Sequence, residues 1–341
     1  MLSRNKSQSV GSIFVPWTKC HDFITTPATK QHNQMIGANA ILFLVGLLVA
    51  ILLYYFKIVN LKILLFIIAA IFLATHWQQI QASLVKPEPF DPRIQTVIDT
   101  LNQKESPAIE PIPKIIIQIW IQKDGGKPRI PQNQIEYMNK MRKMNPGFQH
   151  LFFNNDDVQK FFESNYPEYY DTYKRLPAFI QKLDFFRYLA VYHYGGFYFD
   201  MDVDPHKPLD SAIANHQAVF PIDEYGDSRS CSTSRMMETC KKGRPFLLGQ
   251  YAFATVAKHP FLKYVVDKIK NNVDTYIDVA KKIENANKEY AHYFVYKTTG
   301  PDFITDCYNQ YNNPGQFYIL SNGQRQVFGD YATHNYAGTW K

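Results

Sequence analysis

Three aspartates at every second position follow an apolar, aromatic stretch in the segment GGFYFDMDVDP, which begins at Gly195. They are Asp200, Asp202 and Asp204. Carboxylates spaced in this way can bind a divalent cation, or can form the nucleophile pair of a phosphatase. They can also lie in a solvated turn without any chemical role. The sequence around the three aspartates has to decide among these interpretations.

Two familiar motifs fit this segment only in part. An EF-hand calcium loop that began at Asp200 would need Gly at its sixth position and Glu at its twelfth, where Pro205 and Ser211 stand. A phosphatase of the haloacid-dehalogenase type carries Asp-x-Asp-x-Thr/Val after an apolar strand, and FYFDMDV satisfies that string. That motif normally lies on the first strand of its domain, whereas several strands and helices are predicted before Asp200. The phosphatase remains an alternative.

The segments before the aspartates alternate between strand and helix patterns. The sequence predicts buried strands in KIIIQIWIQ and QHLFFN, helices over residues 132–143 and 178–194, and a helix in DDVQKFFESNYPEYY that is capped by Asn155 or Asp156. FYFDMDV is typical of a further strand. This alternation predicts an α/β fold with a parallel sheet, in which ligands bind at the carboxyl ends of the strands. Asp200 and Asp202 lie at such an end.

The stretch QKLDFFRYLAVYHYGGFYFDMDVDPHKPLD resembles the DXD-containing glycosyltransferases of the sugar-binding-region family, glycosyltransferase family 32. This family includes initiating α-1,6-mannosyltransferases and the catalytic subunits of inositol phosphorylceramide mannosyltransferases. The matching positions are Asp184, Arg187, Tyr188, Tyr194, Gly195, Gly196, Tyr198, Asp200, Asp202 and Val203. The resemblance continues in IPKIIIQIWIQ, MNPGFQHLFFN, TTGPDFIT and THNYAGTW, and so extends over residues 112–341. The chain departs from the family at Ile117, Gln122 and Leu183, where His, Gly and Ser are usual.

The resemblance implies a GT-A, Rossmann-like domain that transfers a hexose from a nucleotide sugar and retains the α-anomer. It favours GDP-mannose as the donor over UDP-sugars, and Mn²⁺ or Mg²⁺ as the cation. A cation of this kind neutralises the charge that builds on the departing diphosphate. By analogy Asp202 binds the cation directly, whereas Asp200 contacts the ribose and reaches the metal through water.

Other candidate site residues have a structural and a functional interpretation. Asp184 and Arg187 are three apart on one helix and could form an ordinary ion pair; the resemblance implies that both face the donor. Trp120 could belong to the core or stack on the nucleobase, and Tyr198 could contact the donor or point into the core. His334 could be a loop histidine or could complete the metal shell.

The first part of the chain contains an apolar region that predicts membrane insertion. Residues 36–56 contain no Asp, Glu, Lys or Arg, and at about 1.5 Å per residue they match a hydrocarbon layer of about 30 Å. Residues 63–77 are again apolar. We expect a helical hairpin over residues 36–77, or one span followed by a helix at the interface. Residues 1–35 are then a tail, 78–112 a Pro-rich stem and 113–341 the catalytic domain.

Charge and cysteine content give only weak indications of the partners and the location of the protein. The net charge of +7 is small and scattered, so nucleic acid is not an expected partner. The cysteines form no zinc-type motif, and Cys231 and Cys240 could either pair or stay free. Lysines in the hairpin turn favour a catalytic domain in the lumen of an ER- or Golgi-type membrane, although the basic N-terminal tail favours the opposite orientation. The expected acceptor is a sphingolipid or glycan hydroxyl; a catalytically silent membrane scaffold is the remaining alternative.

Overall fold

The computed structural model describes most of the chain that follows the predicted membrane region. The described residues are 90–337, apart from 107, 109, 227–229, 233–234 and 284–287, together with a few positions between 55 and 69. Among them no helix is both long and apolar enough to cross a bilayer. The membrane segment predicted for residues 36–77 lies mostly outside the described residues, and it stays a prediction.

Helices and strands alternate along the described part. The helices are α1 (Pro92–Asn102), α2 (Gln132–Met144), α3 (Asn155–Asn165), α4 (Pro167–Arg175), α5 (Phe179–Tyr194), α6 (Ser211–Ala214), α7 (Met237–Lys241), α8 (Pro260–Ile283), α9 (Lys288–Thr298) and α10 (Pro301–Gln310). The strands are β1 (Ile115–Ile119), β2 (Gln149–Phe153), β3 (Gly196–Phe199), β4 (Val203–Pro205), β5 (Ala218–Tyr225), β6 (Phe246–Leu248), β7 (Ala252–Thr255), β8 (Phe317–Leu320), β9 (Val327–Phe328) and β10 (Ala332–His334).

Seven of these strands form one mixed sheet. Its order is β2-β1-β3-β7-β5-β6, and β8 pairs with β5 outside this path. The predicted parallel arrangement holds for β2, β1 and β3 and for the β5–β8 pair. It is wrong for β7, which runs antiparallel to β3 and β5, and for β6, which runs antiparallel to β5. The strands β4, β10 and β9 form a separate antiparallel sheet.

Apolar side chains cover both faces of the main sheet. Successive residues of a strand point to opposite faces, and this alternation divides the core. Ile117 and Tyr198 belong to the larger hydrophobic cluster, whereas Ile116 and Phe197 belong to the smaller one. Helix α5 is buried along most of its length and packs against the larger cluster. A sheet buried on both faces and a buried helix therefore hold the segment that leads to Asp200.

A pair of glycines makes the tight turn between α5 and β3. Gly195 has φ +67 and Gly196 has φ +95, both in the left-handed region. A Cβ at Gly196 would lie 2.5 Å from the carbonyl oxygen of Ile115 on the neighbouring strand. The sequence-based prediction that these glycines end the helix is confirmed, and the close approach of two backbones explains why no side chain fits.

Three local predictions are corrected by the structure. The segment FYFDMDV is not one strand, because β3 ends at Phe199 and β4, in the other sheet, begins at Val203. The cap of α3 is Asn154, whose side chain accepts hydrogen bonds from the first turn, and not Asn155 or Asp156. The predicted stem contains α1, whose Ile94 and Ile98 are part of the larger cluster, so the globular part begins before residue 113.

Candidate active site

Asp200 and Asp202 lie in the turn that joins the two sheets. The backbone N–H of Asp200 donates to Tyr251 O at 2.7 Å, and Val203 N donates to Asp200 O at 3.2 Å. The N–H of Ala337 donates to Asp202 Oδ2 at 2.8 Å. The turn is therefore fixed from both sides, by the residue that precedes β7 and by the segment that follows β10.

His334 joins the two aspartates. Ligand atoms of Asp200, Asp202 and His334 all lie within 4.8 Å of one another, and His334 Nε2 is 3.4 Å from Asp202 Oδ1. The imidazole ring stacks on the ring of Tyr251, with centroids 4.5 Å apart and an interplanar angle of 7°. His334 belongs to β10, so its interpretation as a loop residue is wrong. The structure brings the three predicted metal ligands together, although their function as ligands stays a prediction.

The third aspartate of the motif lies elsewhere. Asp204 belongs to β4, and its Oδ1 accepts a hydrogen bond from Lys140 Nζ at 2.7 Å. The ion pair is partly exposed to solvent. Asp204 therefore has a surface partner of its own, which makes it a matched control for substitutions of Asp202.

The electrostatics of the turn favour a bound cation. The pKa of Asp200 is raised, mainly because the side chain is buried, and the charge of Asp202 raises it further. Burial also acts on Asp202, but His334 in its protonated form and the N–H of Ala337 outweigh it, so the pKa of Asp202 lies below its usual value. A cation between two carboxylates would relieve their repulsion. The two carboxylates suit Mn²⁺ or Mg²⁺, and they thus fit the implied cation.

Arg187 connects the turn to helix α5. Its Nη2 lies 3.2 Å from Asp184 Oδ1, and its Nη1 lies 3.2 Å from Asp200 Oδ1 and 3.0 Å from Gln250 O. Asp184 also accepts from Thr299 Oγ1 at 2.7 Å and from Gln250 Nε2 at 3.2 Å. The ion pair expected from helix spacing is therefore present, and it extends into the site. Burial raises the pKa of Asp184 to about 6.

Tyr198 also contacts the carboxylate of Asp200. Its hydroxyl donates to Asp200 Oδ1 at 2.5 Å, and its ring lies 4.8 Å from the guanidinium of Arg187. Only 1% of Tyr198 is exposed, which agrees with the interpretation that it points into the core. Asp184 and Arg187 are also buried. Tyr198 and Arg187 contact Asp200 directly, and Asp184 pairs with Arg187. Contact of these three residues with a donor stays a prediction.

Trp120 follows the last residue of β1, so it stands at the same sheet edge as Asp200. The side chain is half-buried, and its Nε1 donates to the side-chain oxygen of Gln122 at 2.8 Å once that amide is oriented to satisfy its neighbours. Trp120 is therefore not fully buried in the core. Stacking on a nucleobase stays a prediction.

A second group of charged side chains surrounds Arg235. Arg235 Nη1 is 2.6 Å from Glu224 Oε2, Nε is 2.8 Å from Asp302 Oδ1, and Nη2 is 3.5 Å from Asp223 Oδ2. Cys231 and Cys240 form a disulfide whose loop contains Arg235. The pairing that the sequence left open is thus present in the structure.

Several residues of the site escaped the sequence analysis. Gln250, Tyr251 and Gln326 contact predicted site residues, and Asp223 contacts Gln326. Each lies far along the chain from the DXD segment, in a sequence context without a motif. Only the topology of the two sheets brings them there, and no local signal could have identified them.

The comparisons with known proteins address this segment directly. Residues 131–219 match the family described as a glycosyltransferase sugar-binding region containing a DXD motif. The chain carries this DXD region. It contains Asp184, Arg187, Tyr198, Asp200 and Asp202, and the family resemblance predicted from the sequence is confirmed. The prediction of a glycosyltransferase is supported by the same match and by the names of the relatives described next.

Two curated relatives carry more specific names. The chain is 28% identical over 185 residues to inositol phosphoceramide mannosyltransferase 1 of Schizosaccharomyces pombe, which covers 53% of the chain and 50% of that protein. It is 24% identical over 241 residues to the mannosyl phosphorylinositol ceramide synthase SUR1 of Saccharomyces cerevisiae, which covers 70% of the chain and 52% of that protein. The chain therefore spans about half the length of these relatives.

A solved structure of a PaToxG glycosyltransferase is similar at a TM-score of 0.41 and 17% identity, over 65% of the chain and 77% of that structure. This likeness is too distant to carry an argument about the fold or the function.

Proposed function

We propose that this chain is a membrane-anchored glycosyltransferase that depends on a divalent cation and transfers a hexose from a nucleotide sugar with retention of the α-anomer. One observation supports the proposal above all others. Asp200, Asp202 and His334 converge beside the buried Arg187, and the two aspartates belong to a segment that matches a sugar-binding region with a DXD motif. We further propose that the domain has the GT-A fold.

We propose a separate role for each residue of the site. Asp202 and His334 would hold Mn²⁺ or Mg²⁺ directly, and Asp200 would contact the ribose and the water shell of the ion. The cation supplies positive charge to the diphosphate as it leaves. Arg187 and Asp184 would bind the donor sugar and its phosphate, and Trp120 would stack on the base. Because a same-face displacement needs no nucleophile from the enzyme, we assign none.

Mannose is the favoured sugar and a lipid is the favoured acceptor. Both relatives described above are named for transfer of mannose to inositol phosphoceramide or for synthesis of its mannosyl product. This supports GDP-mannose over a UDP-sugar, and a sphingolipid over a protein-linked glycan. A membrane segment close to the catalytic domain would bring the site to a lipid headgroup.

The disulfide supports a lumenal location. Disulfides persist in oxidising compartments and are rare in the cytosol, so the Cys231–Cys240 bond agrees with a catalytic domain in the lumen of an endomembrane. Large apolar side chains at Tyr55, Leu65 and Phe66 are exposed in the structure, as expected for a segment that contacts lipid. These observations support the anchored, lumenal arrangement that we propose.

A donor screen tests the function. The full chain in detergent or in native membranes is incubated with GDP-mannose, other nucleotide sugars and Mn²⁺, with inositol phosphoceramide or a mannose-containing glycan as the acceptor. We expect release of the nucleoside diphosphate and an α-linked product, abolished by EDTA and by Asp202→Asn but unaffected by Asp204→Asn. Release of inorganic phosphate from phosphate esters, inhibited by vanadate, would favour the phosphatase. No thermal stabilisation by any nucleotide sugar with Mn²⁺ would favour the silent scaffold.

A further inference from the structure

The side chain of Gln326 connects His334 to a carboxylate outside the proposed metal site. Gln326 Nε2 donates to Asp223 Oδ1 at 2.6 Å and to Asp223 O at 3.0 Å. At the other end of the amide, Gln326 Oε1 lies 2.7 Å from His334 Nδ1. A backbone hydrogen bond from His334 N to Gln326 O, at 2.9 Å, joins the same two residues a second time.

The partners of Gln326 fix the orientation of its amide. Asp223 contacts the amide of Gln326 through a carboxylate oxygen and through its backbone carbonyl oxygen. The carbonyl oxygen can only accept a hydrogen bond, and an ionised carboxylate likewise only accepts. The amide nitrogen must therefore face Asp223, and the amide oxygen must face His334. The backbone at Gln326 has φ +60, in the left-handed region that a residue with a Cβ rarely adopts. This unusual backbone accompanies a side chain that is held at both ends.

The orientation of the amide decides the tautomer of His334. Because an amide oxygen can only accept, Nδ1 of His334 must carry a proton. In the neutral imidazole the lone pair is then on Nε2, the nitrogen that lies 3.4 Å from Asp202 Oδ1. The ring stacks on Tyr251, which hinders the half-turn about the Cβ–Cγ bond that would put carbon atoms in the places of Nδ1 and Nε2. Tyr251 is itself held by hydrogen bonds from its hydroxyl to Val327 O at 3.0 Å and Ile222 O at 3.3 Å.

We propose that Gln326 is a positioning residue that holds His334 in the Nδ1–H tautomer and aims the Nε2 lone pair at the cation site. The inference rests on the proposed function for the identity of the site, but the tautomer itself can be measured without metal. Partners of this kind, which bind the second nitrogen of a metal-ligating histidine, typically change metal affinity by about 10- to 100-fold when they are lost. Asp223 completes the arrangement, and Arg235 Nη2 lies 3.5 Å from its carboxylate.

Two substitutions of Gln326 separate hydrogen bonding from packing. Gln326→Met keeps the length of the side chain but removes the acceptor for His334 Nδ1. Gln326→Glu keeps that acceptor and loses the donor to Asp223. We expect Gln326→Met to lose the preference for the Nδ1–H tautomer and Gln326→Glu to retain it. The surface variant Asp204→Asn should behave as the wild type.

The first readout is the tautomer in the metal-free full chain. Histidine labelled with ¹⁵N is examined by two-bond ¹H–¹⁵N correlation, well above the usual imidazole pKa of about 6.5, and the His334 signals are assigned by their loss in His334→Gln. A wild-type spectrum of the Nε2–H form, or the Nδ1–H form unchanged in Gln326→Met, would overturn the proposal. This readout does not depend on enzymatic activity.

The second readout is Mn²⁺ affinity, measured from the electron paramagnetic resonance signal of the free ion in the presence of GDP. We expect Gln326→Met to bind Mn²⁺ at least about 10-fold more weakly than the wild type, with Gln326→Glu less affected. Equal affinity in all three proteins would overturn the proposal. If the wild type itself bound no Mn²⁺, the proposed function would fail, and the tautomer measurement would still decide the contact between Gln326 and His334.

Discussion

The guanidinium of Arg187 lies 3.2 Å from Asp200 Oδ1 and is almost completely buried. The same guanidinium lies 3.2 Å from Asp184 on its own helix. A buried carboxylate, Asp184, and a partly exposed one, Asp200, therefore share one buried cation. The pKa of Arg187 is raised despite its burial because the charges of Asp200 and its neighbours outweigh the loss of solvent. This arrangement connects the stability of α5 to the geometry of the DXD turn.

Removal of this cation should destabilise the fold. Arg187→Met leaves the buried Asp184 and the partly exposed Asp200 without their partner, and we expect a loss of about 3–5 kcal/mol in the free energy of unfolding, measured by chemical denaturation. Addition of Asp184→Asn to that variant should recover part of the loss, because one uncompensated charge disappears. Lys140→Met removes the cation from an exposed pair and should cost less than about 1 kcal/mol. Equal effects of the two Met substitutions would contradict this explanation.

The glycine turn before β3 should tolerate no side chain. In Gly196→Ala the new Cβ would lie 2.5 Å from Ile115 O, on a residue with φ +95, so either β1 or β3 must move. We expect a large loss of thermal stability or a failure to fold. Gly147→Ala is the control, because a Cβ there would have no atom within 4 Å. A Gly196→Ala protein as stable as Gly147→Ala would show that the close approach of β1 and β3 is not needed.

The sequence predicts the local elements well because their signals are local. Helix α5 and its glycine stop, the strand before Asp200 and the family resemblance all follow from contiguous residues. The antiparallel β6 and β7 were not predicted, since strand direction depends on which strands become neighbours. His334 was identified as a candidate ligand from its position near the chain end, but Gln326 was not, because it acts only through a contact made by the second sheet. A disulfide between Cys231 and Cys240 likewise required the fold to bring the two residues together.

His259 should make the stability of the fold sensitive to acid. The side chain is 1% exposed, and its Nδ1 accepts a hydrogen bond from Phe261 N at 3.2 Å at the start of α8. Burial lowers the pKa of His259 from 6.5 to about 4. Between these values the unfolded chain binds a proton that the folded chain does not, so stability falls as the pH falls. We expect a contribution of about 1 kcal/mol per pH unit from this histidine.

The variant His259→Asn isolates that contribution. Asparagine can accept the hydrogen bond at the helix start, but it does not titrate in this range. Chemical denaturation of both proteins at several values between pH 4 and pH 6.5 should therefore show a shallower dependence in the variant. Parallel curves for wild type and variant would mean that His259 is protonated equally in the folded and unfolded chains.

The disulfide should stabilise the loop that carries Arg235. Cys231 and Cys240 are separated by 9 positions, and closing a loop of this size stabilises the fold by about 2.6 kcal/mol in the chain-entropy description. We expect a reductant to lower the free energy of unfolding of the wild type by this amount and to leave the double variant Cys231→Ser/Cys240→Ser unchanged. The buried Cys307 should resist alkylation in the folded protein. Insensitivity of the wild type to reductant would contradict a stabilising bond.

We propose that Asp200, Asp202 and His334 hold a divalent cation against the diphosphate of a nucleotide sugar. Anomalous diffraction near the manganese edge, from crystals of the full chain grown with Mn²⁺ and GDP-mannose, would locate this cation. We expect one anomalous peak bonded to Asp202 and His334, next to Asp200 and in contact with the diphosphate oxygens. A bound diphosphate without manganese at these residues, or manganese bound at another place, would contradict it.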